Sequence, residues 1–105
     1  MTDLPIVGFV ALSAALLAIG VFGILTRRNF ILLLIAIEIS MNAAILNFVY
    51  FGAYLGGTPG LTGQSIAVVL VGFAATEVAV GLGIVLALNR VKGTINVEKA
   101  TELRF

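Results

Sequence analysis

Two glutamates, Glu38 and Glu77, lie in stretches of the sequence that otherwise contain no charged residue and are mostly apolar. An ionised side chain inside a bilayer is costly, at about 2.5 kcal/mol or more on insertion scales. Such residues occur mainly where they face the interior of a helix bundle or a water-filled path. Because a low dielectric favours the neutral acid, a carboxyl group there can take up and release a proton. We therefore predict that both glutamates are proton-handling groups.

The composition is that of a membrane protein. Hydrophobic residues make up 61% of the 105-residue chain and charged residues 10%, whereas a soluble domain has about 25% charged residues. The charged residues other than the two glutamates lie at the ends of the apolar stretches: Asp3, Arg27, Arg28, Arg90, Lys92, Glu98, Lys99, Glu102 and Arg104. The chain is too short for several domains, so we predict a single membrane domain over residues 1–105.

The absence of Cys and His excludes several kinds of chemistry. Thiolate iron–sulfur ligation, histidine haem ligation and the usual zinc sites are impossible, as are Ser-His-Asp and Cys-His nucleophilic sites. We predict no catalytic residue, no metal site and no cofactor-binding site in this chain. The net charge of +1 gives no indication of a nucleic-acid partner, and we predict none.

Three apolar stretches must position the glutamates: residues 4–25, 30–55 and 65–88. Each is long enough to cross a bilayer, which takes about 20 residues. The predicted fold class is therefore an all-α membrane protein with three transmembrane helices. The short turn at residues 26–29 predicts an antiparallel hairpin, and the Gly- and Pro-containing segment 56–64 predicts an uncharged loop. Residues 89–105 form a predicted tail.

The distribution of positive charge predicts the orientation. All six Lys and Arg residues fall on one side of the predicted spans, either in the turn at 26–29 or in the tail at 89–105. Because positively charged loops remain on the cytoplasmic side, we predict a cytoplasmic C-terminus and an N-terminus outside.

The helical faces supply a polar neighbour for one glutamate and a packing surface for the other. Asn42 follows Glu38 by four residues, or about 40° around a helix, so the amide shares a face with the carboxyl group. Ala74 and Gly81 flank Glu77 at three and four residues, which predicts that Glu77 points into a helix–helix contact.

The first span carries a seam of small residues that predicts close packing against another helix. Its members are Gly8, Ala11, Ala15 and Ala18. The depths of the two glutamates are also similar. Counted from Asn29, Glu38 lies about 14 Å into the second span, and Glu77 lies about 18 Å from Asn89 in the third. Both acids are therefore expected near the middle of the membrane.

Two segments give the chain a family resemblance. Residues 34–44 read LIAIEISMNAA and residues 74–83 read AATEVAVGLG. With the Thr-Arg-Arg-Asn turn and the ending TELR at 101–104, they resemble the K-type subunit of NADH-quinone oxidoreductase, respiratory complex I. The resemblance covers nearly the whole chain.

The resemblance implies a place in the proton-pumping membrane arm of an energy-transducing membrane, either the bacterial inner membrane or an organellar equivalent. Glu38 and Glu77 would match the family's proton-relay glutamates, with Asn42 in support. Arg27 and Arg28 would match a basic cytoplasmic turn that supports coupling or assembly. Flavin, iron–sulfur clusters and quinone are expected in other subunits. The expected partners are antiporter-like and quinone-side membrane subunits, together with the lipid bilayer.

Other readings of the sequence remain open. A related sodium/proton antiporter or a membrane-bound hydrogenase contains similar small subunits. A structural assembly subunit without proton transfer would explain the small-residue seams but not two mid-span acids. A rotor-ring subunit of an ATP synthase typically has fewer spans and a single intramembrane carboxylate.

Overall fold

The structure is a computed structural model that describes residues 6–92 and contains three helices: α1 (Ile6–Thr26), α2 (Phe30–Leu55) and α3 (Gly57–Lys92). All three are long and apolar enough to cross a membrane. This confirms the predicted three-span all-α fold. The start of the first predicted span and the last part of the predicted tail, residues 93–105, lie outside the described residues.

The first connection is a short turn that ends in a helix cap. The amide of Arg27 still donates to the carbonyl of Gly23 at 3.0 Å, which closes the last turn of α1. Asn29 then caps α2, because its side-chain oxygen accepts from the amides of Ile31 (2.8 Å) and Leu32 (3.4 Å). These amides would otherwise lack partners at the start of a helix. The predicted start of α2 at residue 30 is therefore correct.

The second connection is much shorter than the sequence predicts. The expected loop at 56–64 is wrong, because only Gly56 separates α2 from α3. Gly56 and Gly57 have positive φ values of 63° and 58°, a conformation that glycine adopts without steric strain. The amide of Gly56 donates to Gly52, and its carbonyl accepts from Gly60. Pro59 is tolerated because it lies in the first turn of α3.

As a result, α3 is longer than the predicted span 65–88. Its 36 residues measure about 54 Å at 1.5 Å per residue, which matches the longest dimension of the molecule, 55 Å. The hydrocarbon core of a bilayer is about 30 Å thick. α3 is therefore longer than the hydrocarbon region is thick, and at least one of its ends extends beyond it.

The three helices form an open layer with α2 in the middle. α2 packs along both α1 and α3, whereas α1 and α3 barely touch each other. The molecule measures 55 × 23 × 18 Å. Because so little of each helix is covered within the chain, most of the apolar surface must contact lipid or other proteins.

Small and polar residues hold α1 against α2. The buried Ser13 hydroxyl donates to the Ala43 carbonyl at 3.1 Å, and Phe9 stacks on Tyr50 with ring centroids 4.2 Å apart. Gly20 is buried against α2. The predicted seam does not make this contact: its members Gly8, Ala11, Ala15 and Ala18 are all exposed. The seam therefore does not pack against α2, and its packing against a helix of another subunit stays a prediction.

Glycines bring α2 and α3 together near the second connection. A Cβ atom on Gly60 would lie 2.5 Å from the Gly52 carbonyl oxygen, and one on Gly63 would lie 3.1 Å from the Cα atom of Gly52. The side-chain amide of Gln64 also donates to the Val49 carbonyl at 3.1 Å. Further along the pair, Gly81 packs against the Leu34 side chain. These contacts fix the register of the two helices.

Candidate functional site

The register between α2 and α3 places Glu38 and Glu77 at the same level. Leu34 on α2 contacts Gly81 on α3. Glu38 lies four residues after Leu34, and Glu77 lies four residues before Gly81. Because antiparallel helices rise equally per residue, the two acids lie side by side in depth. The similar depths predicted from the sequence follow from this contact.

The two acids nevertheless lie on opposite sides of the contact between the helices. α3 touches α2 through Ala74, which is 3% exposed, and through Gly81. At 100° per residue, Val78 lies about 40° to one side of Ala74 and Glu77 about 60° to the other. Val78 is half-buried and lines a groove with Glu38, whereas Glu77 is exposed and lies outside that groove.

The groove beside Glu38, here called the Glu38 groove, is lined by this one charged side chain and by apolar side chains. It has a volume of about 300 Å³ and lies between α2 and α3. Its other walls are apolar side chains: Ile31, Leu34, Ile35, Ile39, Val78 and Leu82. Glu38 itself is half-buried. Its carboxyl group therefore has an opening to the outside of the chain but no second ionisable group among the groove walls.

Glu77 has a different environment from the one predicted. Ala74 and Gly81 do pack against α2, as the sequence suggests, but Glu77 is rotated away from them and is exposed within this chain. The prediction that it points into a helix–helix contact is therefore wrong for the chain alone. The adjacent Thr76 is also exposed, and its hydroxyl is satisfied by the Gly72 carbonyl at 3.0 Å.

Asn42 lies one turn beyond Glu38 and is exposed. The two side chains share a side of α2, as their spacing predicts, but no hydrogen bond joins them in the structure of residues 6–92. Within the same residues neither glutamate forms an ion pair. Cationic or polar partners for the carboxyl groups would therefore come from outside this part of the chain.

The predicted basic residues lie at helix ends, away from both acids. Arg27 and Arg28 follow the last residue of α1 and are exposed. Among the described residues, no group of three or more acidic, Cys or His side chains could hold a metal ion.

The sequence did not reveal which residues fix the site. The Leu34–Gly81 contact sets the level of the acids, and Val78 and Leu82 complete the Glu38 groove. In the sequence, the only indication of this contact was Gly81, four residues after Glu77. It predicted the contact face of α3 correctly but not the direction in which Glu77 points.

This fold defines a small multi-pass membrane protein that carries carboxyl groups within its spans. Residues 8–104 match the family described as NADH-ubiquinone/plastoquinone oxidoreductase chain 4L. The chain belongs to this family, which confirms the resemblance drawn from residues 34–44 and 74–83. The spans and the family together place it in an energy-transducing membrane.

Individual relatives agree with the family match. The chain is 45% identical over 96 residues to "NADH-quinone oxidoreductase subunit K 1" of Syntrophobacter fumaroxidans, covering 91% of this chain and 93% of that protein. It is 42% identical over 104 residues to "NADH-quinone oxidoreductase subunit K" of Bacillus anthracis, covering 99% of both chains. The protein of the same name from Bacillus cytotoxicus is 40% identical over 104 residues.

Proposed function

We propose that this chain is the K-type subunit in the membrane arm of an NADH-quinone oxidoreductase and that Glu38 and Glu77 relay protons there. In this role the chain transfers no electrons itself. Flavin, iron–sulfur clusters and quinone belong to other subunits, and proton movement through this chain is coupled to quinone reduction. The bilayer, the antiporter-like subunits and the quinone-side subunits are its partners.

The observation that carries the proposal is the placement of the two acids. Glu38 and Glu77 lie at one level, and each opens to the outside of the helix pair on its own side. A lipid-facing carboxylate would cost about 2.5 kcal/mol or more. Each acid is therefore expected to face a polar path completed by a neighbouring subunit rather than lipid. The chain would then link one path on the Glu38 side to another on the Glu77 side.

The division into two sides also determines how protons pass between the acids. The α2–α3 contact, with Leu34 against Gly81, separates the two carboxyl groups. Direct exchange would have to cross the line along which the two helices touch. We propose instead that water and polar groups of partner subunits carry the proton around the helix pair. Asn42, exposed one turn from Glu38, is positioned to hydrogen-bond to such water.

The positive charge on one side of the spans supports an orientation for this subunit. Arg27, Arg28 and Arg90 all lie at the same end of the three helices, near the end of α1, the start of α2 and the end of α3. We propose that this side is cytoplasmic, or its organellar equivalent, and that the N-terminus lies outside.

The relay is tested with single variants in the assembled complex. Glu38→Gln and Glu77→Gln each retain size and hydrogen-bonding capacity but cannot exchange a proton at that position. Reconstituted into proteoliposomes, each should assemble normally and show a severalfold lower rate of NADH-driven proton uptake. Thr76→Val is the matched control, because it removes a neighbouring polar group that already bonds within its own helix. Pumping at the control's level in both glutamine variants would contradict the proposal.

A further inference from the structure

A second groove lies between α1 and α2, next to the Glu38 groove, and the proposed relay does not use it. It has a volume of about 310 Å³. Ile35 and Ile39 of α2 line both grooves, so the two grooves adjoin at these side chains. The second groove is therefore on the Glu38 side of the helix layer.

Small residues at two positions let α1 and α2 approach closely at the base of this groove. Gly23 has no side chain, and a Cβ atom there would lie 2.7 Å from the Cβ atom of Ala36. Ala36 is 5% exposed and forms the floor. Ile19 and Ile35, which are half exposed or more, form opposite walls. The result is an apolar channel along the hairpin that opens outward.

Arg27 is the charged residue of the groove and lies at its end, just after α1. From Ile19 to Arg27 the chain rises about 12 Å. One leaflet contributes about half of a hydrocarbon core that is roughly 30 Å thick. The apolar part of the groove thus matches the depth of one leaflet, with the guanidinium group at the level of the headgroups.

We propose that this groove binds an anionic phospholipid, whose phosphate pairs with Arg27 and whose acyl chain lies against Gly23 and Ala36. Basic pockets between transmembrane helices on the cytoplasmic side are suited to acidic headgroups. Charge complementarity and the apolar lining together favour an anionic amphiphile. A protein helix is about 10 Å across and would contact a whole face rather than fill a groove of this volume.

The site is independent of the proposed relay but adjoins it. An acyl chain in the groove would touch Ile35 and Ile39, the side chains that also line the Glu38 groove. The lipid would therefore cover one wall of the relay site.

Photoactivatable lipids test the proposal in the intact complex. Phosphatidylglycerol and phosphatidylcholine carrying the same diazirine-labelled acyl chain are incorporated with the complex into nanodiscs, illuminated, and the labelled peptides identified by mass spectrometry. We expect phosphatidylglycerol to label the segments from Ile19 to Arg27 and from Leu32 to Ile39. Its labelling should exceed that by phosphatidylcholine about fivefold, the factor that one cation near a charged membrane surface supplies.

Variants separate the headgroup contact from the acyl-chain contact. Arg27→Gln should remove the preference for phosphatidylglycerol, and Arg27→Lys should retain most of it. Ile19→Trp, which fills the groove from its exposed wall, should reduce labelling by both lipids. Arg28→Gln is the matched control, because Arg28 carries the same charge in the same turn but does not line the groove.

Three outcomes would overturn the proposal. These are equal labelling by the two lipids, an unchanged preference in Arg27→Gln, and no labelling of the segment from Ile19 to Arg27 by either lipid.

Discussion

Glu38 of α2 and Glu77 of α3 lie at the same level but on opposite sides of the line along which the two helices touch. The Leu34–Gly81 contact fixes the level, and Val78, which lines the Glu38 groove, marks the side from which Glu77 is turned away. In a relay, this geometry makes the helix pair a divider between two proton paths.

The geometry can be tested by cross-linking, because the chain contains no native cysteine. The pair Glu38→Cys and Val78→Cys should react readily with a short bifunctional thiol reagent, since both positions line one groove. The pair Glu38→Cys and Glu77→Cys should react severalfold more slowly. Equal rates for the two pairs in the assembled complex would contradict the placement of the acids on opposite sides.

Shortening each acid should have unequal effects. Glu38 is half-buried among apolar groove walls. Glu38→Asp draws the carboxyl group back among these apolar side chains, where few polar groups can exchange a proton with it. Glu77 is exposed within the chain, and water or a partner can follow the shorter side chain of Glu77→Asp. We expect Glu77→Asp to retain most proton pumping and Glu38→Asp to retain less, as measured in proteoliposomes. The reverse order would argue against the groove as the proton path.

The glycine contacts predict how α2 and α3 tolerate added methyl groups. Gly60→Ala would place a Cβ atom 2.5 Å from the Gly52 carbonyl oxygen, and a backbone atom cannot move aside as a flexible side chain can. We expect a loss of about 1–3 kcal/mol, typical of overpacking. Heating of the membranes followed by quantification of the subunit retained in the complex would detect this loss.

Gly83→Ala is the matched control for this prediction, because its Cβ atom would meet nothing within 4 Å among residues 6–92. Replacing Gly by Ala in a helix interior is otherwise favourable by about 0.5–1 kcal/mol. Retention should therefore be unchanged or improved. Equal losses for Gly60→Ala and Gly83→Ala would show that the Gly52–Gly60 approach does not limit stability.

The orientation can be tested through the turn between α1 and α2. Reversal of both charges with Arg27→Glu and Arg28→Glu removes the positive charge that keeps this turn cytoplasmic. We expect misoriented or missing subunit, detected by labelling of an Asn29→Cys variant with a membrane-impermeant thiol reagent. With the arginines present, the reagent should label this cysteine only after the cytoplasmic side is exposed. Labelling from the opposite side would overturn the orientation.

The number of spans and the bounds of α2 could be predicted from the sequence, because Arg27, Arg28 and Asn29 mark its start and the glycines at 56 and 57 mark its end. The second connection could not, because the Gly- and Pro-containing composition of 56–64 is typical of a loop. Two glycines with positive φ close the turn in one residue and leave Pro59 where a helix accepts it.

The packing face of α1 could not be predicted for a different reason. The helix is apolar all round, so hydrophobic periodicity does not distinguish its faces. Small residues lie on two sides of it, and the side that packs is decided by complementarity with α2. Gly20 fits against α2, and Ser13 finds the Ala43 carbonyl, whereas the seam from Gly8 to Ala18 has no counterpart within the chain. For Glu77, a spacing of three or four residues from Ala74 and Gly81 does not show whether the side chain lies on the contact face of α3 or beside it.

The most direct test of the relay is the number of protons pumped per NADH oxidised by the complex carrying both Glu38→Gln and Glu77→Gln. The measurement uses purified, fully assembled complex in proteoliposomes, with subunit content verified against the wild type. The relay predicts that this ratio, or the coupled rate where turnover itself requires the relay, falls severalfold. An unaltered ratio at an unaltered rate in the double variant would contradict it.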